Sequence, residues 1–154
     1  MKYLPLALCV FSIGAFAQMD TNVEKDINSI ESQVIEWRRD FHEHPELSNR
    51  EFKTAEKIAK HLESLGIEVQ TGIAKTGVVG ILKGEGNGKV VALRADIDAL
   101  PVTERNDLAF KSNVTETFLG TETGVMHACG HDTHTAILMG VAEVLSKNKD
   151  KING

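Results

Sequence analysis

Apolar residues recur along this chain at two kinds of spacing, and each predicts a different element. Val23, Ile27, Ile30, Val34, Trp37 and Phe41 alternate steps of four and three, which lines them along one stripe of a helix from about Asn22 to His44. Thr21-Asn22-Val23-Glu24 has the form of a capping box at its start, and Pro45 marks its end because the residue before a proline is pushed out of helical backbone. Ser48-Asn49-Arg50-Glu51 is a second capping box. It opens a helix whose stripe is Phe52, Ala55, Ala59, Leu62 and Leu65, closed by Gly66. After Gly66 the runs become short and β-rich: Ile67 to Gln70, Val78 to Leu82 and Val90 to Ala95, separated by glycines. The third run is apolar on consecutive positions, as in a strand covered on both faces within an α/β sheet. Residues 101–123 are polar and predict an irregular loop. A last helix runs from about Thr133 to Lys147, with Ile137, Val141 and Val144 on one face and Asp132 placed to cap it.

The first seventeen residues stand apart from this pattern. One lysine precedes an almost wholly apolar run, Leu4 to Phe16, and Ala15-Phe16-Ala17 before Gln18 has the small-x-small form of a leader cleavage site. The run is shorter than the ~20 residues of a spanning helix. Residues 1–17 therefore read as a secretory signal peptide and residues 18–154 as an exported chain, periplasmic or secreted, with no membrane span after processing. Cleavage also removes Cys9, leaving Cys129 as the one thiol, so no intramolecular disulfide can form. Seventeen Lys and Arg against 22 Asp and Glu give a net charge of -5. That leaves no basic surplus for a nucleic-acid backbone.

Candidate chemistry lies in two places. Arg94-Ala95-Asp96-Ile97-Asp98-Ala99-Leu100-Pro101 sets two carboxylates at the C-terminal end of the third predicted strand, the edge at which open α/β sheets bind ligands. Residues 124–134, Gly-Val-Met-His-Ala-Cys-Gly-His-Asp-Thr-His, hold His127, Cys129, His131, Asp132 and His134 just before a helix. Thiolate and imidazole are the ligands a borderline-soft ion such as zinc selects, and an adjacent carboxylate commonly fixes a histidine tautomer. Buried or surface residues explain each of these singly, but not all five together. His131 is expected before the helix that carries His134.

The blocks Trp37-Arg38-Arg39-Asp40-Phe41-His42-Glu43-His44-Pro45-Glu46-Leu47-Ser48, Leu93 to Pro101 and Gly124 to Asp132 closely resemble the M20 metallopeptidases. The nearest branch is the amidohydrolases of N-acyl amino acids, hippurate and auxin conjugates. The resemblance implies a three-layer α/β/α zinc-peptidase-like catalytic domain, incomplete in this chain, in a two-domain hydrolase that cleaves the amide of an N-acyl amino acid or short peptide. It implies two divalent ions, Zn, Mn, Co or Ni. Cys129 and His131 would be ligands, Asp96 the acid that orients the site, and Arg94 would stand where the wider family has a metal-binding histidine. Asp98, His127, Asp132 and His134 would be supporting residues. A glutamate general base, the remaining ligands and a lid domain belong to family segments that follow Lys147, and a homodimer of the full-length protein is left open. The loop between Ser112 and Gly124 is longer than the branch leads one to expect.

Two other functions compete with this one. A small non-catalytic exported metal-binding module would be complete as written, and an enzyme of the same fold could be a dipeptidase or a deacetylase of a cell-wall precursor.

Overall fold

The structure, a computed structural model, describes residues 20–154. The proposed leader lies outside the described residues. Helix α1, Thr21–Glu43, begins one residue earlier than the periodicity suggests, because Asp20 rather than Thr21 caps it. The Asp20 carboxylate accepts the Asn22 N–H at 2.8 Å, and aspartate is the better acceptor beside the positive end of a helix. Pro45 ends α1 as expected, with His44 at φ -122°.

Helix α2, Phe52–Ser64, does not use the box at Ser48. Asn49 is left-handed at φ 63°, and the Glu46 carboxylate reaches the first turn instead, accepting from the Thr54 N–H at 2.8 Å and the Lys53 N–H at 3.2 Å. A charged acceptor makes the stronger bond. Gly66 closes α2 in the left-handed region, φ 73°, and Ile67 N–H returns to the Leu62 carbonyl, the arrangement that only glycine enters at low cost. Strands β1, Glu68–Ile73, and β2, Gly77–Ile81, follow as an antiparallel hairpin.

Two expectations fail in the next stretch. The run Val90 to Ala95 is not a strand: Val90 is 94% and Val91 78% exposed. A strand exists through its ladder partners, and among the described residues none lies beside this run, so a sequence suited to two covered faces has neither covered. Residues 101–123 are not wholly irregular either. β3, Thr115–Phe118, and β4, Thr121–Gly124, form a second antiparallel hairpin. Its two turn residues, Leu119 at φ 50° and Gly120 at φ 82°, both take the left-handed backbone that matches strand twist in a two-residue turn. Leucine in the first of these positions is not a turn signal, which is why the pattern hid it.

Helix α3, His131–Lys147, starts two residues before the predicted point, behind Gly130 at φ 87°. It packs on α1 where Gly140 meets Val34 and Ile30; a methyl group there would lie 2.9 Å from Val34 Cγ2. Among the described residues no helix is long and apolar enough to cross a membrane.

What positions the site is a small core between segments distant in sequence. Leu47, Ala99 and Val125 are buried together with Val114 against them. Leu47 pairs in parallel with Ala99, and Leu100 pairs antiparallel with Met126. Ala99 N–H donates to the Glu46 carbonyl at 2.8 Å, and Leu100 and Met126 exchange two bonds of 3.0 Å. These bridges bring the loop after α1, the two-aspartate segment and the histidine-rich turn side by side.

Candidate metal centre

His131, the first residue of α3, faces the two-aspartate segment. Its Nδ1 lies 2.9 Å from the Asp98 carbonyl oxygen and 3.0 Å from Asp98 Oδ1. Both are acceptors, so Nδ1 carries the proton and Nε2 is left with its lone pair. This is the support a ligating histidine receives from a carboxylate. Nε2 stands 4.0 Å from Asp96 Oδ2.

Asp96, expected to orient the site, is itself held by Arg94, whose Nε and Nη2 reach Oδ1 at 3.0 and 2.7 Å. That hydrogen bond, and the guanidinium charge behind it, hold the Asp96 carboxyl below the usual carboxylate range. Thr135 Oγ1 donates to the Asp96 carbonyl, so α3 also fixes the backbone there. The contact that orients His131 comes from Asp98. Cys129 is a free, exposed thiol. His134 follows one turn along α3, its ring centroid 6.0 Å from that of His131, so the two histidines share the helix that sequence spacing assigned to His134 alone.

Of the five candidate side chains of the turn, His127 and Asp132 are buried. Neither nitrogen of His127 has a hydrogen-bond partner. Burial lowers its pKa to about 4, against the pull of the Asp132 charge, which raises it, so the ring is neutral at neutral pH. Asp132 is only 1% exposed. Its carboxylate does not serve His131; it accepts from His42 Nδ1 at 2.7 Å and Arg38 Nε at 3.0 Å, and from its neighbour's Thr133 N–H at 2.8 Å. His42 Nε2 in turn lies 2.9 Å from Glu104 Oε1. Burial would raise the Glu104 carboxyl, yet the hydrogen bonds from His42 and the Ser112 N–H prevail and hold it below its ordinary value.

Sequence reasoning missed Arg38, His42 and Glu104. Arg38 and His42 are four apart on α1 and so share a face, a spacing that was open to notice. Glu104 sits in a polar loop with nothing to single it out.

Among the described residues no group of three or more His, Cys, Asp or Glu side chains is gathered so as to hold a metal ion. The donors present nonetheless suit one: an exposed thiol, and an imidazole whose Nε2 lies on the Asp96 side while Asp98 holds Nδ1 and so fixes the tautomer. They are two, whereas a catalytic zinc takes at least three protein ligands.

Residues 92–154 match the profile of Peptidase family M20/M25/M40. Over 133 residues, 86% of this chain, the sequence is 51% identical to thermostable carboxypeptidase 1 of Saccharolobus solfataricus, covering 32% of that protein. It is 43% identical to the N-acyl-L-amino acid amidohydrolase of Geobacillus stearothermophilus, across 86% of this chain and 34% of that one. Among solved structures, the YXEP protein of Bacillus subtilis, described as a dinuclear metal binding peptidase of the M20 family, superposes with a TM-score of 0.73 at 44% identity. That match covers 82% of this chain and 33% of the other. The mixture of helices and hairpins described above is thus part of a known fold: the chain is similar to members of peptidase family M20, matches the family model over residues 92–154, and spans about a third of the length of the relatives it matches.

Proposed function

We propose that this chain is part of an exported, metal-dependent hydrolase that cleaves the amide bond of N-acyl amino acids. Residues 1–17 would be its leader, and residues 18–154 the first portion of its catalytic domain. The observation that carries the reading is the His131 ring, tied through Nδ1 to Asp98 with no hydrogen bond at Nε2, two residues along the chain from the free, exposed thiol of Cys129. Cys129 and His131 would hold part of a pair of divalent ions, zinc, manganese, cobalt or nickel, which when bound supply a Lewis acid and an activated water.

The chain's own groups have separate tasks. Asp98 keeps His131 in the tautomer that can ligate. Arg94 keeps Asp96 ionised and restrains its carboxylate. His127, neutral and enclosed, adds no charge to the site. The substrate class is supported by the amidohydrolase resemblance, and a peptide substrate by the identity to a carboxypeptidase; both reactions break a C–N amide bond. Nothing in the composition favours a nucleic-acid partner.

The test is hydrolysis of N-acetyl and N-benzoyl amino acids, beside short peptides, by the full-length protein before and after chelation. Removing metal should cut turnover by more than about 100-fold, since the activated water disappears with the ion, and zinc, manganese or cobalt should restore it. Undiminished turnover in metal-free protein would overturn the reading. Export is checked separately by mass spectrometry of the secreted or periplasmic protein, which should begin at Gln18. An intact Met1 would remove the leader and the single-thiol argument with it.

A further inference from the structure

The buried groups around Asp132 form a closed circuit that the proposed chemistry does not use. Asp132 accepts from His42 Nδ1, and His42 Nε2 meets Glu104 Oε1. The other Glu104 oxygen accepts the Ser112 N–H, and Ser112 Oγ donates to the Val125 carbonyl at 2.7 Å. From Val125 the chain runs through His127, Cys129 and His131 back to Asp132. The ring therefore begins and ends on the two sides of the turn that presents the candidate ligands. Its anchor is α1, which supplies His42 and Arg38.

Every link is shielded. The His42, Asp132 and Glu104 side chains are 3%, 1% and 0% exposed. Phe110 stands edge-on to His42, ring centroids 5.7 Å apart, with the Arg38 and Arg39 guanidiniums over its face. One carboxylate oxygen faces each nitrogen of the His42 ring, at 2.7 Å from Asp132 and 2.9 Å from Glu104. Apolar residues of similar size commonly stabilise a fold as well as buried ion pairs do; what a satisfied buried network can add is a single defined arrangement.

We propose that His42 and Glu104 are positioning residues of the metal-binding turn, acting through Asp132 at one end and through Ser112 and Val125 at the other to hold Cys129 and His131 in register. The proposal rests on the functional reading above. Neither residue touches a ligand atom or substrate.

The experiment uses full-length protein loaded with cobalt, comparing wild type with His42→Gln, Glu104→Gln and the milder Ser112→Ala, which removes the Oγ bonds to the Val125 carbonyl and the Val114 N–H but leaves the His42, Asp132 and Glu104 side chains in place. Wild-type protein should show a thiolate-to-cobalt absorption band. In His42→Gln and Glu104→Gln that band should shift or weaken, and kcat should fall by roughly 10–100-fold, the usual loss when support behind a ligand is removed, with KM changed less than about threefold. The double variant should lose little more than the worse single one, because the two residues act as one unit. Variants with wild-type kcat and an unaltered cobalt band, even if they melt earlier, would show that the circuit only stabilises the fold. Metal-free protein gives an independent readout, amide hydrogen exchange. Exchange of residues 128–132 should accelerate about tenfold or more in His42→Gln, and in Ser112→Ala should either single variant fail to fold, while the α1–α3 interface keeps its protection. Unchanged exchange in the turn would overturn the proposal. If wild-type protein took up no cobalt, the metal reading would fall, and the exchange result would still decide whether the circuit positions the turn.

Discussion

Replacing Cys129 with alanine in the full-length protein is expected to remove bound metal and amide hydrolysis together, and replacing His131 to do the same. Thiolate and imidazole donate electron pairs directly, and no other group among the described residues gathers with them to compensate. The loss should exceed the roughly 10–100-fold that accompanies removal of an outer support. His134→Ala supplies the contrast. Its ring is 6.0 Å from that of His131 and on the same helix, so it can steady the site from behind, and its loss should stay within that 10–100-fold range. Elemental analysis and kcat measured on the same preparations decide the matter. Normal metal stoichiometry in Cys129→Ala would end its assignment as a ligand.

The second large effect concerns the 154 residues expressed alone, for which we expect no measurable turnover and a weak or non-cooperative thermal melt. Two observations lead there. Cys129 and His131 make an open pair of donors, so metal binding cannot add its usual share to folding free energy. Val90, Val91 and Leu93 lie bare in a segment without ladder partners; a solvent-exposed apolar run with free backbone groups invites pairing with other chains. The comparison is with protein extended to the length of the relatives, assayed on N-acetyl or N-benzoyl amino acids with added zinc, manganese or cobalt. Equal turnover and a sharp cooperative melt in the short chain would show that it is a self-sufficient module.

How much of this was legible in the sequence depended on where the determining contacts lie. α1 and α2 were visible because their apolar stripes and Gly66 are local features, and each was placed to within a residue or two. Their caps were misjudged because Asp20 and Glu46 compete with the nominal box residues as better-charged acceptors. The run at Val90 carried a true pattern, but a strand is made by its neighbours. The β3–β4 hairpin was hidden by Leu119, whose left-handed backbone no turn rule anticipates. At the site, residue chemistry pointed to the cluster of His127, Cys129, His131, Asp132 and His134, and the family resemblance to Cys129 and His131 within it. It could not say which aspartate meets His131, because Asp96 and Asp98 differ only in what the bridges at Ala99 and Leu100 do with them. Asp132 was noticed for its neighbours in sequence, yet its partners Arg38 and His42 lie some ninety residues away.

Those same bridges bear on the order in which the molecule assembles. The β1–β2 and β3–β4 hairpins and all three helices close over short stretches of chain and can form early. The Leu47–Ala99 and Leu100–Met126 pairings join segments far apart in sequence and must wait for large loops to close, at an entropic cost that rises with loop length. The histidine-rich turn gains its surroundings only when both have formed, so it is among the last parts to become native. A thiol at position 129 thus spends the early part of folding without its histidine and aspartate neighbours, in a compartment where, if the chain is exported, oxidants act on exposed thiolates.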